Sequence, residues 1–182
     1  MVCLVGNHEQ SMLRTWDDRT RHSWIWIGGL DTIASYSAEA AAVIQAEFAA
    51  LGRRLVTERV RVGYEAFFDL LPAGHVAFFR ELQLYHETED VLCVHAGVDP
   101  RGVPIHLQKP EVLTWGVDGF PEDYSGGRAV VYGHWQNAVV DEKGWPWPRV
   151  LSNRTYGIDT IFKGVLSAMR FPDGKIFQSE KY

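Results

Sequence analysis

The sequence predicts a mixed α/β protein built as a layered sandwich of helices and sheet. Stretches with apolar residues at helical spacing occupy the first half of the chain, and short apolar runs typical of strands occupy the second half. The length of 182 residues falls within the roughly 100–200 residues of a single domain. Because no linker or internal repeat interrupts the pattern, we expect one layered α/β domain.

The first half of the chain contains one predicted strand and three predicted helices. Residues 2–5 form a continuous apolar run closed by Gly6, which is typical of a strand buried on both faces of a sheet. Ser37 can cap the first helix, and Gly52 follows its last apolar residue. The predicted helices cover residues 38–51, 64–71 and 75–82.

The second half is predicted to be strand-rich. The runs with strand character are residues 91–94, 129–132, 149–151, 157–161, 165–171 and 175–178. Pro172-Asp173-Gly174 separates the last two and predicts a hairpin turn. The first two runs are each followed at once by a polar loop that contains a histidine.

Charge and hydropathy exclude several classes of function. The net charge is −5, and no block of Lys or Arg is present, which argues against a nucleic-acid partner. No apolar stretch approaches the roughly 20 residues of a membrane span, and the first residues lack the pattern of a signal peptide. We therefore expect a cytoplasmic protein without a membrane partner. The negative net charge does not exclude a phosphorylated substrate, because a bound metal ion can make the local electrostatic potential positive.

Polar side chains follow three of the predicted strands at the points where the strands end. They are Asn7, His95 and His134. In α/β sheets, ligands collect beyond the carboxyl ends of strands. Two imidazoles and an amide oxygen suit a divalent ion such as Mn, Fe or Zn. Taken singly, a histidine after a strand is more often a hydrogen-bonded structural residue, so the residue pattern alone leaves both interpretations open.

Ordered motifs along the whole chain resemble the calcineurin-like metallophosphoesterases, and in particular their serine/threonine protein phosphatase branch. The matching segments are Gly6-Asn7-His8-Glu9, Gly28-Gly29 with Ser35-Tyr36, Leu71-Pro72 with His75, Val94-His95-Ala96-Gly97, Gly133-His134 and Ile158-Asp159-Thr160. The resemblance implies an α/β/β/α metallophosphoesterase sandwich over residues 1–182. It also implies hydrolysis of phosphomonoesters, with phosphoserine and phosphothreonine among the candidates, by a metal-activated hydroxide.

The resemblance also assigns roles to single residues. Asn7, His95 and His134 correspond to ligands of the second metal in a centre of two divalent ions, Mn, Fe or Zn. His8 corresponds to the general acid that protonates the leaving oxygen. Asp159 is expected to fix backbone geometry rather than to bind metal. The implied partner is a phosphorylated small molecule or a phosphoprotein.

Two motifs of that family have no counterpart here. Neither D-x-H nor G-D-x-x-D-R-G occurs in the sequence, although the family uses them for the first metal and the bridging carboxylate. The resemblance therefore predicts an N-terminally truncated domain that lacks its first strands and helices. Three neutral ligands would hold at most one metal weakly, so we expect little or no activity from this chain alone. An exposed sheet edge also predicts self-association, a separate N-terminal chain, as in a split enzyme, or a start assigned too late.

Further departures leave alternatives for the substrate. Val117 stands where many bacterial relatives have a phosphate-gripping arginine, for which Arg101 or Arg128 could substitute. Trp135 after Gly133-His134 resembles the symmetrical dinucleoside tetraphosphatases, so phosphoanhydride hydrolysis is one alternative. A non-catalytic pseudophosphatase, acting as a binding module, is another.

Overall fold

The computed structural model describes residues 1–182 and confirms a mixed α/β protein. The chain forms two compact units: a helical unit of residues 8–82, and a sheet unit of residues 1–7 and 83–182. No linker-like sequence marks this division, which is why the sequence predicts a single domain. None of the helices is both long enough and apolar enough to cross a lipid bilayer.

The helical unit packs its helices around an aromatic core. Its helices are α1 (Asn7–Asp17), α2 (Leu30–Tyr36), α3 (Ala38–Leu51), α4 (Arg54–Thr57), α5 (Glu65–Phe68) and α6 (Ala73–Glu81), with a kinked π-helical turn at Ile25–Gly29 before α2. The first residue of α1, Asn7, belongs to the sheet unit. Trp24, Ile33, Ile44, Tyr64 and Phe67 are fully buried in this core. Most of the stability of these short helices therefore comes from packing, because isolated helices of this length are marginal in water.

Helix α3 has the bounds that the sequence predicts. The Ser37 hydroxyl accepts a hydrogen bond from the Ala40 backbone N–H at 3.1 Å, which satisfies one of the free donors of the first turn. At the other end Gly52 has a positive φ of 51°, and its N–H donates to the Phe48 carbonyl. The predicted helix 75–82 is seen as α6, whereas the predicted helix 64–71 is only the short α5.

The sheet unit is organised around a mixed five-stranded sheet. Its strands are β1 (Tyr85–Glu87), β2 (Val91–Val94), β3 (Ala129–Tyr132), β6 (Arg149–Val150) and β7 (Thr155–Gly157), in the order β1-β2-β3-β7-β6. β2, β3 and β7 are parallel, with Cys93 opposite Val131 and Tyr132 opposite Gly157. β1 and β6 are the antiparallel edges.

Two small antiparallel ribbons and one helix complete the sheet unit. The ribbons pair β4 (Val139–Val140) with β5 (Pro146–Trp147), and β8 (Ser167–Arg170) with β9 (Lys175–Gln178). Helix α7 (Pro110–Trp115) contributes Leu113 to the core, where it joins Val94, Val130 and Tyr132. The predicted hairpin at residues 172–174 is confirmed as the turn between β8 and β9.

Two predicted strands are wrong. Residues 2–5 do not form a strand buried on both faces, since only Leu4 pairs, in a parallel bridge to Gln83, and the Val2 side chain is 41% exposed. A buried strand needs a neighbour on each side, and here only one is present. The strand predicted at 157–161 instead spans Thr155–Gly157, and a 3₁₀ turn occupies Ile161–Lys163.

Candidate functional site

The predicted histidines meet at the carboxyl ends of two neighbouring parallel strands. His95 follows β2 directly, and His134 follows β3 by one residue. The Gly133 backbone N–H donates to the His95 carbonyl at 2.8 Å, which joins the two loops. The imidazole rings of His95 and His134 lie with their centroids 5.1 Å apart. Parallel pairing of β2 with β3 is thus what brings the two rings together.

Asn7 completes this group. It follows the segment that pairs with Gln83, through the Val5 N–H and the Cys3 carbonyl, and its side chain is only 4% exposed. The Asn7 Oδ1 lies 3.0 Å from the His95 Nε2 and accepts its hydrogen bond. The structure therefore gathers Asn7, His95 and His134, the three residues that the sequence predicts as metal ligands.

The backbone at His134 has an unusual conformation. Its φ is +68°, in the left-handed region that residues other than glycine rarely adopt. The Trp135 N–H donates to the Gly133 carbonyl at 2.8 Å and closes a three-residue γ-turn around His134. The Asp159 carboxylate accepts the backbone N–H of Gln136 at 3.0 Å and so anchors the same loop. Asp159 thus fixes backbone geometry, as the sequence predicts.

Two tryptophans flank the His134 ring. The Trp135 ring meets it edge-on at a centroid distance of 4.6 Å, and the Trp115 ring at the end of α7 lies 6.0 Å away. Both line a groove of about 410 Å³ that also includes Phe120 and Arg149. Sequence reasoning missed this pairing, although each tryptophan lies in or beside a segment compared with a family motif.

The two arginines predicted for substrate binding are not brought to this group. Arg101 forms an ion pair with Asp99, and its hydrogen bonds lower the pKa of that carboxyl to about 2. Arg128 precedes β3, at the opposite end of the strand from His134, and pairs with Glu87. Both guanidinium charges are therefore already matched by a carboxylate. His8, in the first turn of α1, is exposed and belongs to the helical unit.

The donor set fits a divalent ion in kind. An amide oxygen and imidazole nitrogens are ordinary ligands of Mn, Fe and Zn. No group of three or more His, Cys, Asp and Glu side chains is placed to hold a metal ion. Any metal held here would therefore depend on the Asn7 amide as the third ligand.

Comparison of the chain with protein-family models, with curated proteins and with solved structures gave no match in any of the three.

Proposed function

We propose that the protein is a metal-dependent phosphoesterase whose sheet unit binds a divalent cation through Asn7, His95 and His134. The observation that carries this proposal is the convergence of the three side chains, with the Asn7 Oδ1 3.0 Å from the His95 Nε2 and the two imidazole rings 5.1 Å apart. Asn7 is nearly fully buried, yet its amide oxygen faces another donor atom of the same set. A layered α/β/β/α sandwich is part of the proposal.

Each residue of the site has a defined task in this proposal. Asn7, His95 and His134 hold the cation and leave its charge undiminished, because all three are neutral ligands. When bound, the cation would supply Lewis acidity to the phosphoryl oxygens of a phosphomonoester. His8 would donate a proton to the leaving oxygen, a contribution of typically 10²–10⁴-fold for a general acid. Small phosphate esters, phosphoserine and phosphothreonine are the proposed substrates.

Weak activity follows from the same ligand set. Three neutral ligands without a bridging carboxylate would hold one ion loosely, and a second ion would have no protein anchor. Two arginines that could grip phosphate, Arg101 and Arg128, are paired with Asp99 and Glu87. These observations favour a second candidate, a non-catalytic phosphate-binding module with the same metal ligands.

Binding of Mn²⁺ to the full chain tests the proposal directly. We expect wild-type protein to bind one Mn²⁺ in isothermal titration calorimetry, and Asn7→Ala and His134→Ala each to weaken binding at least about tenfold. His106→Ala is the matched control, because His106 is an exposed histidine of the sheet unit outside the group. Hydrolysis of p-nitrophenyl phosphate is followed on the same samples with and without Mn²⁺.

Each result selects among the alternatives. Equal Mn²⁺ affinity in wild type and Asn7→Ala overturns the metal site. Mn²⁺ binding without any Mn²⁺-dependent hydrolysis favours the binding module. Mn²⁺-dependent hydrolysis that Asn7→Ala abolishes establishes the phosphoesterase, and a high rate would contradict the weak activity that we expect.

A further inference from the structure

The groove beside His134 is lined by two indole side chains that are only partly buried. Trp115 and Trp135 are 38% and 51% exposed, although each ring packs roughly perpendicular to the His134 ring. The groove has a volume of about 410 Å³, and its lining combines Phe120 with polar side chains such as Asn137 and Arg149. Small-molecule sites typically measure about 300–1,000 Å³ and combine aromatic walls with a few polar groups. We call this the aromatic groove.

The wall formed by Trp135 is fixed in place. The indole Nε1–H donates to the Ala96 carbonyl at 3.1 Å. The same edge of the ring lies against Gly116, where an added Cβ would approach the ring Cζ2 to 2.5 Å and Nε1 to 3.1 Å. Gly116 also has a positive φ of 84°, so this position favours glycine for two reasons. An aromatic wall held in this way loses little conformational entropy when a ligand stacks on it.

We infer that the aromatic groove binds a planar aromatic group carried by the phosphorylated ligand, so that the protein prefers aryl phosphates to alkyl phosphates. This inference rests on the proposed function, since it places the phosphate beside His134 and the ring between Trp115 and Trp135. Aromatic pairs gain stability beyond simple burial when stacked or set edge to face. A volume of about 410 Å³ suits a ring with its substituents rather than a protein segment.

The charged side chains that line the groove indicate which kind of aromatic ligand it could accept. Glu122 and Arg149 line the groove as an ion pair with a 2.5 Å contact, and Asp118 adds an exposed carboxylate. These carboxylates and the overall charge of −5 disfavour a polyanion such as a nucleic-acid strand. A single aromatic ring that bears one phosphate is the ligand class that these features fit.

Two non-hydrolysable ligands separate aromatic binding from catalysis. Phenylphosphonate and methylphosphonate are titrated into the full chain in the presence of Mn²⁺, and dissociation constants are measured by isothermal titration calorimetry. We expect phenylphosphonate to bind about tenfold more tightly than methylphosphonate. Trp115→Leu and Trp135→Leu should each reduce this preference at least about threefold. The two variants guard against loss of folding in either one, which far-UV circular dichroism monitors.

Trp147→Leu is the matched control, because Trp147 is 43% exposed and lies in β5 outside the groove. Equal binding of the two phosphonates overturns the inference but leaves the metal site standing. Binding of phenylphosphonate alone, lost in Trp115→Leu, supports the groove while contradicting the proposed phosphate site. If neither ligand binds, the inference is wrong, since the indole walls should hold a phenyl ring without help from the phosphate.

Discussion

His134 is held in a strained backbone conformation by bonds from three directions. A non-glycine residue in the left-handed region costs about 1–3 kcal/mol and persists only where its surroundings determine it. Here the Gly133 N–H donates to the His95 carbonyl, the Trp135 indole donates to the Ala96 carbonyl, and Asp159 accepts the Gln136 N–H. The direction of the His134 ring is therefore set by the loop and not by the ring's own rotamer alone.

Removal of the Asp159 carboxylate should loosen this loop without changing the proposed metal ligands. We expect Asp159→Ala to weaken Mn²⁺ affinity about 10–100-fold, the range seen when groups that orient metal ligands are lost. Asp159→Asn keeps a side-chain oxygen that can accept the Gln136 N–H, so it should recover most of the affinity. Isothermal titration calorimetry with Mn²⁺ on the three proteins measures the effect.

A second loop carboxylate provides the control for Asp159. Asp141 also accepts backbone N–H groups, from Lys143 and Trp145, but its loop contains no predicted ligand. Asp141→Ala should leave Mn²⁺ affinity unchanged. If Asp159→Asn weakened binding as much as Asp159→Ala, a role for the hydrogen bond to Gln136 would be ruled out.

At the level of residues, the sequence predicts that Asn7, His95 and His134 lie together, but it does not predict the two tryptophans beside His134. Asn7, His95 and His134 could be grouped because each follows an apolar run, and strand ends in one sheet meet at one edge. Trp115 comes from the end of α7, and only the packing of α7 in the sheet unit brings its ring to within 6.0 Å of that of His134. The contact between the Trp115 and His134 rings could not be predicted from the spacing of residues along the chain.

At the level of elements, apolar runs and helix-capping residues predict the bounds of several helices and strands. The apolar runs of β2 and β3, and the cap and glycine of α3, reproduce the observed bounds. Residues 2–5 carry an equally apolar run, but a strand also needs partners, and only Gln83 pairs there. Strand identity depends on neighbours distant in sequence, whereas a helix satisfies its own backbone.

Loss of the α3 cap should lower stability by a measurable amount. Ser37→Ala removes the acceptor of the Ala40 N–H, and we expect the free energy of unfolding to fall by about 1 kcal/mol. Urea denaturation followed by far-UV circular dichroism measures the change. Ser35→Ala is the control, because the Ser35 hydroxyl donates to the Thr32 carbonyl within α2 and caps no free N–H. Equal destabilisation by the two variants would contradict a capping role for Ser37.

At the level of the whole molecule, the division into two units was not predictable from composition. Each unit has its own buried cluster, one rich in aromatic residues from the helices and one around the sheet. The sheet unit draws residues 1–7 and 83–182 together through the bridge between Leu4 and Gln83. Because the sheet unit is assembled from two separate segments of the chain, no linker sequence marks the boundary between the two units. The pattern of apolar residues along the sequence therefore does not reveal the division.

Stability of the molecule should depend on pH on both sides of neutrality, through a buried pair in the helical unit. His22 is 4% exposed, its Nε2–H donates to the Val60 carbonyl, and its Nδ1 therefore accepts from the Tyr64 hydroxyl at 2.9 Å. Burial lowers the pKa of His22 and raises the pKa of Tyr64. Both groups are thus held neutral by the folded state.

The sign of each effect follows from which state takes up or releases the proton. The unfolded chain protonates His22 near pH 6.5, before the folded chain does, so stability is lost as pH falls below about 6.5. The unfolded chain ionises Tyr64 near pH 10, while folding keeps it neutral, so stability is lost as pH rises above about 10. Each of the two groups contributes a slope of up to about 1.4 kcal/mol per pH unit.

Urea midpoints at pH 5, 7.5 and 10.5 test both limbs, and one substitution isolates the alkaline one. Tyr64→Phe removes the ionising hydroxyl, so the loss of stability between pH 7.5 and 10.5 should become shallower than in wild type. Tyr36→Phe is the matched control, because Tyr36 lies in the same unit and also hydrogen-bonds a histidine, His75, but is exposed. The alkaline slope of Tyr36→Phe should equal that of wild type. Burial also raises the pKa values of Tyr124 and Tyr132, so these two residues should contribute to the alkaline loss of stability in every variant. If the slope of Tyr64→Phe equalled that of wild type, the alkaline loss would be due to Tyr124 and Tyr132 and not to Tyr64.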